Sequence, residues 1–340
     1  MPYVSVVVAA RNEEHNIPYL LTTLLNQDYP DNLYEVIIAN DESTDRTEEI
    51  VTSFQKKFSN LKLIDVKVTN KVISRKKNAL SQAIAAAKGE LILTTDADCL
   101  VKPTWVSGMI RYFGPGIDSV AGLSLPKIVD WKHSRFIEKY EYLDTLALFS
   151  AGAGAIGYEK VFSGSGQNFA YTHDAYLQVN GFEKINKYIS GDDVLLMQLI
   201  RRAGYKIRFA FGKETHNQTR SQKSIKQFLN QRIRWASNGR VQVRLNIEFY
   251  IFLLITFLLN LTIVLSLFFF PILFLVFLLI KGTSEWFVVK QGANRFKIEQ
   301  GRLNFFPIWA LLQPFYIIIV GIAGQFRLFK WNKKPLISAK

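Results

Sequence analysis

Cysteine is almost missing from this chain: Cys99 is the single one among 340 residues. No internal disulfide can form, and a reducing compartment is expected. Cys99 sits among carboxylates, which disfavour a thiolate, so it is not read as a nucleophile. Other signatures are absent too. No Gly-x-Gly-x-x-Gly turn follows the first apolar run, which disfavours a Rossmann dinucleotide site, and no Gly-x-x-x-x-Gly-Lys-Ser/Thr run marks a P-loop. No helix-turn-helix, zinc or RNA-binding signature occurs, so nucleic acid is not expected as a partner. A secretory signal is not expected either, because the apolar run Val4–Ala10 has no basic lead and no small-residue cleavage site. Internal repeats and low-complexity tracts are absent from the first 240 residues.

Acidic residues are outnumbered, and the formal net charge is +14. The excess is local. Between Arg201 and Arg244 there are twelve Lys and Arg against one acid, Glu214. That collar ends just before a long apolar stretch, which reads as the cytoplasmic side of a membrane span facing anionic head groups.

Against those absences stand four short apolar, β-branched runs: Val4–Ala10, 35–39, 61–66 and 91–95. Each is followed by a helical pattern. The first starts at Arg11–Glu14 with Ile17, Leu20, Leu21, Leu24 and Leu25 as its apolar face; another covers 75–88 and ends at Gly89 as a C-cap. Asp45 with Glu48 has capping-box spacing. Strand alternating with helix predicts a doubly wound, mostly parallel sheet, whose ligands sit beyond the carboxyl ends of the strands. Three of those ends are polar: Arg11 to Glu14, Asp41 to Asp45, and Asp96 with Asp98. In LILTTDADC (91–99) a buried strand carries two carboxylates to its end. Side chains two apart point the same way, and paired hard oxygens suit magnesium or manganese on a diphosphate. The plainer reading of that pair is an acidic turn.

Further along, helices are expected at 105–113 and 134–150, with a small, flexible stretch at 151–157. FSGSGQNFAY (162–171) sets glycines beside Gln167, Asn168 and Tyr171, permitting backbone approach to a ligand or a tight turn under the sheet. ISGDDVLLMQL (189–199) starts a helix at Asp192 and Asp193, either of which can cap it or act as a base. From Ser224 a helix carries Gln231, Arg234 and Trp235 on one face, with Arg232 to the side. Residues 247–280 are almost wholly apolar. As one helix they would be about 51 Å long, against about 30 Å of hydrocarbon. The run is therefore broken near Pro271 into spans at about 249–269 and 272–289, the second carrying Lys281 and Glu285. A third apolar segment covers 305–326. Three full crossings would put the basic tail 327–340 opposite the collar, so either that segment is re-entrant or interfacial, or the first run crosses only once at a steep tilt.

VSVVVAARNEEHNI, NDESTDRT, RKKNAL, TDADC, GSGQNFAY, SGDD and QRIRW occur in this order over roughly the first 240 residues. Together they resemble family-2 glycosyltransferases, inverting enzymes of the GT-A fold, and specifically the membrane-associated type with a QxxRW motif. Asn40 and Glu42 stand where that family more often has Asp and Gly, and Asp192 where it has Glu. The resemblance implies an α/β GT-A domain at 1–246, transmembrane helices at 247–289, a basic connecting loop at 290–304, a third apolar segment at 305–326 and a basic tail at 327–340. It implies that Asp41 contacts the nucleotide base with Glu13 nearby, and that Lys76 helps hold the nucleotide. Asp98 would hold a divalent cation (magnesium or manganese) on the diphosphate, with Asp96 beside metal and ribose. Asp193 would be the catalytic base, with Asp192 beside it. Asn168 belongs to the acceptor loop, and Gln231, Arg234 and Trp235 would line the site near diphosphate and acceptor. The expected activity is sugar transfer from a nucleoside-diphosphate sugar, a UDP-sugar, to a lipid or glycan acceptor at the inner (cytoplasmic) membrane. The catalytic domain would be cytoplasmic. The alternatives are a processive polysaccharide synthase and a catalytically inactive nucleotide-binding membrane scaffold.

Overall fold

The computed structural model describes residues 1–67 and 74–330. The expected basic tail lies, from residue 331 on, outside the described residues. The chain divides into two compact units, one of Met1–Leu125 with Ile156–Arg220, the other of Pro126–Ala155 with the described chain from Ser221 onward.

In the first unit β1 (Val4–Ala10), α1 (Ile17–Leu24), β2 (Tyr34–Asn40), α2 (Thr47–Gln55), β3 (Leu61–Asp65), α3 (Arg75–Ala85), β4 (Leu91–Thr94), α4 (Trp105–Ile110) and β5 (Ser119–Gly122) follow in order. A short β6 (Ser124–Pro126) leads into α5 (Phe136–Gly157), which runs through the second unit and returns. Then come β7 (Phe169–Thr172), α6 (His173–Gln178), α7 (Val194–Arg202), β8 (Ile207–Ala210) and β9 (Asn217–Thr219). Seven strands make one sheet in the order β3-β2-β1-β4-β7-β5-β8. All neighbours are parallel except β7, which runs against both β4 and β5. This is the doubly wound sheet the alternation predicts.

The four apolar runs become strands because both faces are covered; β1 and β2 are buried nearly end to end. Register aligns their carboxyl ends, with Ala10 opposite Asn40 and Asn40 opposite Asp65. Thr94 pairs with Val7, so the chain after β4 runs on toward the same rim. One core joins β1, β2 and β4 to Leu20, Leu24, Trp105 and Met109.

Several local expectations fail for identifiable reasons. The first helix begins at Ile17, because residues 11–16 form a turn in which Asn12 is left-handed (φ +55°) and its side chain accepts the Thr44 N–H at 2.8 Å. Asp45 accepts from Thr47 N (3.0 Å) and Glu14 N (3.1 Å), while Glu48 accepts from Asn40, so no capping box forms. Gly89 is not a C-cap; α3 stops at Ala85. Gly89 is needed because a Cβ there would lie 2.4 Å from Ser5 N. The stretch 151–157 is the last two turns of α5, not a flexible link.

The second unit holds α5 together with α8 (Ile225–Ala236), α9 (Gly239–Leu245), α10 (Ile247–Phe269), α11 (Pro271–Arg295) and α12 (Phe306–Gln325). Among the described residues three helices are long and apolar enough to cross a membrane: Ile247–Phe269, Pro271–Arg295 and Gln300–Gln325. The break at Pro271 falls where the sequence puts it. Lys281 Nζ lies 2.6 Å from Glu285 Oε1, one helical turn along α11.

Candidate active site

Four segments far apart in sequence converge at the carboxyl rim of the first unit's sheet. The chain after β4 brings Asp96 and Asp98, the first turn of α3 brings Lys76, the turn before α7 brings Asp192 and Asp193, and the turn after β1 brings Glu13. Lys76 is the hub: its ammonium lies 2.8 Å from Asp96 Oδ1 and 2.7 Å from Asp192 Oδ2. Burial alone would release the Lys76 proton early, but the two carboxylates outweigh it and hold the pKa well above the usual range. Burial likewise works against the Asp192 carboxylate, and Lys76 more than offsets it, so Asp192 sits below its ordinary value.

Asp193 behaves in the opposite sense. Burial and then the adjacent Asp192 charge raise its pKa. Its Oδ1 accepts the Val194 N–H at 2.7 Å, capping α7, and its Oδ2 accepts the Gly166 N–H at 3.2 Å. A small recess opens beside this group, between Thr95, Asp96, Gly166, Tyr171 and Asp192. Asp98 is pushed up to about 6 by burial, then by Asp96 and Glu13. Asp98 thus feels the charges of Asp96 and Glu13, while the ammonium of Lys76 is committed to Asp96 and Asp192.

A divalent cation fits that imbalance. No group of three or more His, Cys, Asp or Glu able to hold a metal occurs among the described residues. Magnesium-type sites need only one or two carboxylates when substrate phosphates complete the shell. Asp98 is the better placed of the two, since one Asp96 oxygen is taken by Lys76.

Asp41 is also at the rim, buried and gripped. Arg75 Nε reaches both its oxygens (3.1 and 3.0 Å), Arg75 Nη2 lies at 2.9 Å, and Arg11 approaches to 3.5 Å. Arg75 also pairs with Glu42, which is left-handed (φ +52°). Two residues that the motif reading leaves aside thus matter here. Arg75 covers both oxygens of the Asp41 carboxylate. Lys77 is buried and donates to three main-chain carbonyls, Ile185 (3.0 Å), Tyr188 (2.7 Å) and Ser190 (3.0 Å). Burial lowers its pKa to about 8. It is a strut under the loop that ends in Asp192 and Asp193. Their presence in RKKNAL is the only signal; the partners lie 34 and more than 100 residues away.

Asn168 does not join the cluster. It is fully buried, and its amide is saturated by Leu123 O (2.9 Å), Thr215 O (2.6 Å) and Trp105 Nε1 (2.9 Å). It fastens the turn after β5 to the core, with both amide hydrogens in use and the side chain fully buried. Gln231, Arg234 and Trp235 lie on α8 in the second unit. They share the outward face, and Arg232 is the buried member of the motif. Its guanidinium bonds Asp144 at 2.7 Å and Thr145 at 3.0 Å, and lies over the rings of Trp235 (4.2 Å) and Phe228 (4.8 Å).

The sequence profile of glycosyl transferase family 2 matches residues 5–179, just over half of the chain. The chain belongs to glycosyltransferase family 2. The family-2 match takes in Asp41, Lys76, Asp96 and Asp98; Asp192, Asp193 and α8 lie beyond it. Among family-2 relatives, the probable glycosyltransferase YdaM of Bacillus subtilis is 29% identical over 245 residues, which cover 72% of this chain and 56% of that protein. The beta-monoglucosyldiacylglycerol synthase of Nostoc is 39% identical over 113 residues, covering 33% of this chain and 24% of that one. The aligned part therefore spans about half or less of these relatives' length. The mannosyltransferase PcManGT of Pyrobaculum calidifontis, solved with GDP-mannose and Mn2+, superposes with a TM-score of 0.59 at 18% identity. The superposition covers 98% of this chain and 88% of that one, a shared GT-A architecture.

Proposed function

We propose that this chain is a membrane-anchored, metal-dependent, inverting glycosyltransferase of the QxxRW type. It transfers a sugar from a nucleoside-diphosphate sugar, a UDP-sugar, to a lipid or glycan acceptor. The observation that carries the reading is the Lys76 ammonium between Asp96 and Asp192, with Asp98 and Asp193 adjoining. Acids from three separate segments have gathered at the rim where α/β sheets bind ligands.

Asp193 is the base. Its raised pKa suits a carboxylate that must take a proton, and two main-chain N–H groups fix its orientation. As the acceptor oxygen bonds to the anomeric carbon, its proton passes to the Asp193 carboxylate. The bond from that carbon to the diphosphate breaks with its electron pair on the leaving nucleoside diphosphate. One base suffices for a single displacement, and the sugar centre inverts. Lys76 holds Asp96 and Asp192 at a fixed spacing across the cleft. Arg75 and Arg11 fix Asp41 at the nucleotide end, near Glu13. Asp98, with Asp96, would hold a divalent ion, magnesium or manganese, which would supply positive charge to stabilise the leaving nucleoside diphosphate. Gln231, Arg234 and Trp235 are assigned to the diphosphate and acceptor side on the strength of the motif. The Mn2+ in the mannosyltransferase structure and the lipid product in the name of the Nostoc relative support metal and acceptor class. The apolar helices and the basic collar support an inner-membrane location with a cytoplasmic catalytic domain.

The test is a donor screen on membranes from cells making the protein. Release of each nucleoside diphosphate is scored against the Asp193→Asn variant, and extracted lipids are analysed by mass. The reading requires one nucleotide sugar to be consumed only by the unsubstituted protein, with a new glycosylated product. Equal consumption by the variant removes Asp193 as base.

A further inference from the structure

Among the described residues three helices are apolar enough to cross a bilayer, and they differ in what packs against their two ends. α12 has 20 residues and is about 30 Å long, so length does not decide. Its surroundings do. At the amino end, the Arg302 guanidinium donates to Ile128 O at 3.2 Å, and Phe305 meets Phe136 edge-on at 5.3 Å. Midway, Gln313 donates to Asp144 at 3.2 Å, and Tyr316 stacks on Phe228 at 5.6 Å. At the carboxyl end, Arg240 bonds Gln325 at 2.7 Å, and the Asn230 side-chain amide accepts from Lys330 N (2.7 Å) and donates to Lys330 O (2.8 Å). A Cβ on Gly324 would come within 2.7 Å of Ala236.

Both ends of α12 are thus tied to α5, α8 and the segments beside them, and no apolar helix separates those anchors from one another. A crossing helix has its first and last turns at opposite surfaces, about 30 Å apart. For α12 to cross, α5 and α8 would have to follow it through hydrocarbon. α8 exposes Lys226 and Gln227, and α5 carries Glu138 and Lys139 near its start, charges that hydrocarbon excludes. The burial pattern agrees. One third (33%) of the apolar window of α12 is covered, against 17% for each of α10 and α11. What α12 leaves uncovered is a single stripe, Ile308, Leu311, Ile319, Ile322 and Phe326, with spacings that follow one helical face. α10 and the first half of α11 instead leave large apolar side chains exposed on both sides of the turn, from Ile251 and Phe252 through Phe268–Ile272 to Leu279 and Ile280.

We infer that α12 lies in the plane of the bilayer surface, with that stripe sunk at the acyl–headgroup boundary, and that only the α10–α11 hairpin enters the bilayer. The inference rests on the membrane reading above and fixes its topology. The partner is a bilayer with anionic head groups. Continuity with the hairpin and the basic residues before and after the stripe, Arg295 and Lys297, then Arg327 and Lys330, argue for it. The hairpin leaves and returns on one side, so the segment after α12 stays on the side of residues 1–246. The clash between three crossings and the basic tail disappears.

Cys99 is buried, so single cysteines introduced elsewhere can be labelled selectively. Tyr158→Cys, Glu299→Cys and Leu328→Cys are treated with an impermeant maleimide in right-side-out and inverted vesicles. All three are expected to react from the same side. Leu328→Cys reacting only from the side opposite Glu299→Cys overturns the inference. A second measurement is independent of sidedness: a fluorophore on Ile308→Cys, Phe315→Cys or Ile322→Cys, quenched by lipids brominated at shallow or deep acyl positions. Equal, shallow quenching at all three supports the interfacial helix. Deep quenching at the middle position with shallow quenching at the ends means a crossing. Release of the unsubstituted protein by alkaline carbonate overturns the membrane reading itself, and the inference with it.

Discussion

At the residue scale the site is a set of unequal carboxylates. Asp192 is lowered by Lys76, while Asp193 and Asp98 are raised, Asp98 to about 6. A raised acid keeps its proton to higher pH and is the first to be neutralised as pH falls. With Asp193 as the proposed base, its contribution to the acid limb of kcat/KM is expected to be displaced upward from the ordinary carboxylate value. Asp192→Asn removes a neighbouring negative charge, so that limb moves to lower pH even as the rate drops; a pH profile that keeps its midpoint removes Asp192 as the cause. Asp193→Asn lowers turnover by about 10²–10⁴-fold, the usual worth of a positioned base, while nucleotide binding measured by calorimetry stays within about twofold. Protons compete with metal for Asp98, so manganese affinity in the presence of nucleotide weakens as pH drops through about 6. Titration calorimetry at two pH values checks it, and a pH-independent affinity moves the metal away from Asp98.

At the element scale, how far the chain could be read depends on how local each cause is. The parallel strands were legible to within a residue or so because covering both faces demands continuous apolar runs, which any reader of β1, β2 or β4 sees. The end of α5 was not. Its small residues look like a flexible link, yet they continue the helix; just before them Ser150 meets α11 so closely that a Cβ on Gly292 would overlap its Oγ. Asn168 was misjudged for a similar reason. Its three partners come from residues 105, 123 and 215, and nothing near it in sequence announces that its amide is already spent. Arg232 hides in plain view inside QRIRW. Removing one partner of a buried ion pair typically costs about 3–5 kcal/mol, while replacing both with apolar groups costs far less. Arg232→Met alone is therefore expected to lower thermal stability in detergent sharply, and Arg232→Met with Asp144→Leu to recover much of it. A double variant no better than the single one places the cost elsewhere.

At the scale of the whole molecule, the acidic rim, its proposed cation and the apolar helices are separable. Chelation is expected to stop sugar transfer and added manganese or magnesium to restore it, without releasing the protein from membranes; activity indifferent to a chelator dispenses with the metal. Motif order made the family legible over the first half of the chain, and composition made the apolar helices legible. Which of those helices enters the bilayer was not, because α12 and α10 look alike as strings of residues and differ only in what packs against them. Lys76 and Lys77 are consecutive residues in the first turn of α3, one grasping Asp96 and Asp192, the other braced against the loop that delivers Asp193. A rigid helical turn cannot shift one without the other, so the spacing of Asp96 from Asp192 and the seat of the loop before α7 are set by a single piece of backbone.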